Sequence, residues 1–78
     1  MKRYKVILTK GIKAGNPVPI KIATSMMIGP KGNDENEVLV FVKGILQFPK
    51  DDYEIMHNTL RMVKRDLKVG DKVQVIIP

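Results

Sequence analysis

Between Val18 and Ile28 the chain alternates without a break. Val18, Ile20, Ile22, Thr24, Met26 and Ile28 fall on one side, and Pro19, Lys21, Ala23, Ser25 and Met27 on the other. Successive Cβ atoms of an extended chain point to opposite faces, so period two over this length predicts a strand with one face buried. Any fold of this chain must therefore contain a sheet with something packed against it. Pro19 cannot donate a ladder hydrogen bond, which places its end of the strand at an edge or a bulge.

The chain has 78 residues. That length supports one hydrophobic core, so residues 1–78 are expected to form a single domain. Apolar residues make up 44% and charged residues 28%, the balance of an ordinary folded protein. No apolar run approaches the roughly 18 residues that a membrane-spanning helix needs. There is no cysteine, which excludes a disulfide framework, a thiolate metal site and a cysteine nucleophile. The apolar stretch Val6-Ile7-Leu8 is too short for a signal-peptide core, so a cytoplasmic location without membrane association is expected.

Further elements follow from spacing. In residues 3–9, Tyr4, Val6 and Leu8 share one face, with Ile7 the exception, and predict a first strand. The glycines, Asn16 and Pro17 of residues 10–17 mark a loop, and residues 29–36 a polar turn. Val38–Val42 is apolar on both faces and reads as a central strand covered on both sides. Gly44 marks a bulge or bend after it. Asp51 and Glu54 have the spacing of a helix capping box, and Tyr53, Met56, Leu60, Val63 and Leu67 recur at helical intervals. Asn58 and Thr59 are poor helix formers, so the competing reading is two short strands, 54–57 and 60–64. Val73–Ile77 closes the chain as a strand. The expected fold is a small α+β domain of order β-β-β-α-β, a strongly curved antiparallel sheet or partly open barrel with one helix. Homodimerisation is a possible way to cover the third strand.

Charge is unevenly placed. The formal net charge is +6 and the pI near 9.8, which favours polyanionic partners. Residues 1–33 carry seven basic groups and no acid, whereas 34–54 carry two basic groups and six acids. The expected role is a non-enzymatic basic module that contacts DNA, RNA or a nucleoprotein through backbone phosphates. The candidate contacts are Lys10 and Lys13, then Lys2, Arg3, Lys5 and Lys21, with the N–H groups around Gly11 and Gly15 helping to grip phosphate. Arg61, Lys64 and Arg65, together with Lys68, form a second candidate cluster. Tyr4 and Tyr53 fall on core faces, so little base stacking is expected. The alternative is a structural or inhibitory protein–protein interaction protein of phage or mobile-element type, built on the apolar third strand.

Nothing in the chain points to catalysis. The single histidine, His57, has no nucleophile or metal pattern around it, and Gly11–Gly15 does not make a phosphate-binding Walker loop. Asp34, Glu35 and Glu37 read as a solvated turn rather than a cation loop. No cofactor, metal ligand or catalytic residue is assigned. The segment Leu67-Lys68-Val69-Gly70-Asp71-Lys72-Val73 resembles the closing turn and strand of ubiquitin-like sulfur carriers and of small oligomeric barrels in phage tail proteins. The carriers place their helix after the first hairpin and end in Gly-Gly; this chain shares neither feature, and no residue role is carried across.

Overall fold

A computed structural model describes residues 2–22, 38–56 and 59–77. Their strands are β1 (Lys2–Ile7), β2 (Leu39–Val42), β3 (Ile45–Leu46), β4 (Tyr53–Met56), β5 (Thr59–Met62) and β6 (Lys72–Ile77). They form two antiparallel sheets, one ordered β1-β6-β2-β3 and one a hairpin of β4 with β5. No helix occurs among the described residues and neither sheet closes on itself. The expected α+β class, its β-β-β-α-β order and its single curved sheet or partly open barrel are corrected accordingly.

The predicted helix is the β4–β5 hairpin, close to the competing two-strand reading. Tyr53 and Ile55 point inward from β4, and Leu60 and Met62 from β5. Met56 and Val63, which a helical stripe needs inside, are 41% and 42% exposed. Ile55 and Val63 are β-branched, and Asn58 and Thr59 also disfavour a helix. The segment after β1 then supplies the deciding partner. Val18 N–H donates to the Leu60 carbonyl at 2.9 Å, Gly15 N–H to the Met62 carbonyl at 2.8 Å, and Ile12 and Leu67 exchange both backbone bonds. The expected helix cap is a turn instead. Asp52 Oδ2 accepts the N–H of Phe48, four residues earlier, at 2.9 Å.

The two sheets share one core. The four-stranded sheet contributes Val40, Val42, Val73, Val75 and Ile77, with Leu8 and Val38 beside them. Tyr53, Ile55, Leu60, Met62, Val18, Ile20, Ile22 and Leu67 complete it. Tyr53 ties the layers together: it is fully buried, and its hydroxyl donates to the Val38 carbonyl at 3.2 Å.

Two strand expectations also need correction. The alternation at 18–22 is real, with Val18, Ile20 and Ile22 buried and Pro19 and Lys21 exposed, but these residues lie outside any ladder strand. Ile20 N–H bonds to the Val18 carbonyl at 2.7 Å across a tight turn centred on Pro19, whose fixed φ suits that geometry. Residues 23–28 of the expected strand, the 29–36 turn and His57 lie outside the described residues. The third strand is an inner strand of its sheet, as expected, but among the described residues only one of its faces is covered. Val38, Val40 and Val42 are buried, whereas Leu39 is exposed and Phe41 half-buried. Of the bulge or bend expected at Gly44, the structure shows the bend, a two-residue hairpin turn at Lys43-Gly44. Both residues have positive φ, 55° and 80°, the signature of a type I′ turn, and Val42 pairs directly with Ile45.

Candidate nucleic-acid interface

Of the ten basic side chains singled out by the sequence, nine are exposed (Lys2, Arg3, Lys5, Lys10, Lys13, Lys21, Lys64, Arg65 and Lys68), and Arg61 is half-buried. Arg3 and Lys5 lie on the outer face of β1 together with Ile7. Across the ladder they sit opposite Ile76 and Gln74 of β6, which in turn sit opposite Leu39 and Phe41 of β2. This outer face is therefore basic at one margin and apolar toward the other.

Lys13 meets a residue of the second expected cluster. It lines an open cavity of about 580 Å³ with Lys68, Val69 and Asp66. Asp66 has a structural task there, since its Oδ1 accepts the Ala14 N–H at 2.8 Å. Gly15 N–H is also engaged, by the Met62 carbonyl. The expectation that the Gly15 N–H helps to grip phosphate is thus corrected: backbone pairing consumes that donor, and a carboxylate already occupies its neighbour. The lysine side chains still face solvent.

Of the expected cluster of Arg61, Lys64, Arg65 and Lys68, Arg65 and Lys68 line one cavity of about 170 Å³ together with Lys43, Asp66 and Asp71. Arg61 stands on β5 opposite Glu54, with its backbone bridged to Pro17. Lys64 and Arg65 line a groove of about 310 Å³ with Ile45, Leu46, Gln47, Phe48 and Asp52. Phe48 is 62% exposed. Sequence reasoning missed this aromatic; the available signal was its position just before Pro49 and beyond a strand too short to bury alternate residues.

The remaining local electrostatics centre on Asp71. Lys68 N–H donates to its Oδ2 at 2.8 Å and the Lys43 ammonium lies 3.5 Å from its Oδ1. The backbone N–H of Lys68 is the main cause holding the Asp71 carboxyl below its ordinary 3.8; partial desolvation opposes it and Lys43 assists. Among the described residues, no three His, Asp or Glu side chains gather into a set that could hold a metal ion. Among them, too, no helix is long and apolar enough to cross a membrane.

Comparison with protein-family models, curated proteins and solved structures gives no match.

Proposed function

We propose that this protein is a non-enzymatic basic module that binds nucleic acid, led by contacts to backbone phosphates. One observation carries the reading: three carboxylates are engaged by backbone N–H groups while nine of the candidate basic groups face water. Asp52, Asp66 and Asp71 each accept a backbone N–H, from Phe48, Ala14 and Lys68 respectively. Meanwhile Lys2, Arg3, Lys5, Lys10, Lys13, Lys21, Lys64, Arg65 and Lys68 are exposed. With a net charge of +6 and those bases in solvent, the surface presents a positive field to polyanions.

The test is neutralisation on the exposed loop. Lys10→Gln with Lys13→Gln is expected to weaken binding to a random-sequence duplex and to lower the salt slope by about 0.9 for each phosphate no longer neutralised. Unchanged affinity and slope in a variant that folds normally would remove these two residues from the interface.

A second reading has its own observation. Ile7 and Leu39 are exposed on the outer face of the four-stranded sheet, and Phe41 and Ile76 are half-buried there. Such a face suits a protein partner or a second copy of the chain. Light scattering tests this directly: a mass that stays monomeric as concentration rises removes the second copy.

A further inference from the structure

We propose that the groove between β3 and the residues following β5 takes an unpaired nucleotide of a single-stranded nucleic acid. Phe48 stacks on the base, and Lys64 and Arg65 hold the adjoining phosphates. The proposal rests on the nucleic-acid reading above and specifies the form of nucleic acid that is bound.

The aromatic ring comes first. Phe48 is 62% exposed, and Ile45 and Leu46 beside it are 63% and 43% exposed. Burying a phenylalanine side chain stabilises a fold, and this fold forgoes most of that gain. The backbone beneath the ring is nevertheless fixed. Phe48 N–H donates to Asp52 Oδ2 and Asp52 N–H donates back to the Phe48 carbonyl, both at 2.9 Å. Pro49 follows, and Lys50 N–H closes onto the Tyr53 carbonyl at 2.8 Å. An exposed ring on a held backbone loses little freedom when a base stacks on it.

Charge then selects the occupant. Lys64 and Arg65 are exposed and line the same groove as Phe48. The carboxylate in the lining, Asp52, is engaged by the Phe48 N–H. Apolar stacking surface bordered by two cations fits a base joined to phosphates. The volume, about 310 Å³, lies at the low end of the range for small-ligand sites, roughly 300–1,000 Å³. It suits a base that has left its partner rather than a duplex.

Fluorescence anisotropy with a labelled oligothymidylate of about 12 nucleotides, within the span such sites cover, and with a random duplex tests this on the full chain. The oligothymidylate is expected to bind the wild type more tightly than the duplex does. Phe48→Ala is expected to weaken the single strand by roughly 5- to 150-fold and to leave duplex affinity unchanged. Phe48→Trp should retain single-strand binding. Lys64→Ala with Arg65→Ala should lower the single-strand salt slope by about 0.7 for each phosphate no longer neutralised. If the wild type binds but Phe48→Ala changes nothing, the groove proposal is overturned and the phosphate-led reading stands. If the wild type binds neither probe, both fall. A dimer seen by light scattering that Phe48→Ala abolishes would assign the patch to a second copy and overturn the proposal.

Discussion

At the residue scale, the side chains that matter most are polar groups placed where backbone needs them. Tyr53 bonds one layer of the described fold to the other, through its hydroxyl and the Val38 carbonyl of a buried residue. Tyr53→Phe keeps the packing and removes that donor. It is expected to cost about 1–2 kcal/mol in urea unfolding, since a buried carbonyl then lacks its partner. Asp71 makes a prediction in pH. Its carboxyl is held below 3.8, mainly by the Lys68 N–H. A depressed folded pKa adds stability that is fully present above the unfolded value and is lost as pH falls from there through the folded value. Thermal melting between neutral pH and about pH 2 should therefore show a steeper acid decline for the wild type than for Asp71→Asn. Equal declines would show that Asp71 contributes nothing to the acid limb. These roles are only partly legible in the sequence. Spacing places Tyr53 in the core, but its partner Val38 becomes evident only with the two sheets in place.

At the element scale, the segment 51–67 is the instructive case. Its apolar residues satisfy both a helical and an alternating pattern, because Tyr53, Leu60 and Leu67 are buried under either reading. The discriminating residues are Ile55 and Met62, which are buried, and Met56 and Val63, which are not. Periodicity alone does not choose between them; backbone pairing with Gly15 and Val18 from the distant first loop does. By contrast, β1 and β6 are readable because each has a single inward face, and even Ile7, the exception in β1, is exposed. The β2–β3 hairpin offers a local test. Gly44 has φ 80° and open space where a Cβ would stand. Gly44→Ala should therefore destabilise by about 1 kcal/mol through backbone strain alone. A neutral substitution in denaturant unfolding would mean that the turn relaxes to another type.

At the scale of the whole molecule, two small sheets enclose one core and leave a surface that is basic, with apolar patches. The charge asymmetry is legible from sequence because it depends only on the order of residues. Its geometry is not, since Lys13 and Lys68 meet through the 12–67 pairing, and Phe48 meets Lys64 and Arg65 through the approach of β3 to the chain after β5. The central claim is that this surface binds nucleic acid through phosphates. A salt series of anisotropy titrations on the wild-type chain, with single-stranded and duplex probes, tests it most directly. The claim predicts measurable binding at low salt and a linear fall of log K with log salt, of slope about −0.9 per phosphate neutralised on the duplex and about −0.7 on the single strand. Absence of binding at low salt, or an affinity indifferent to salt, would contradict it.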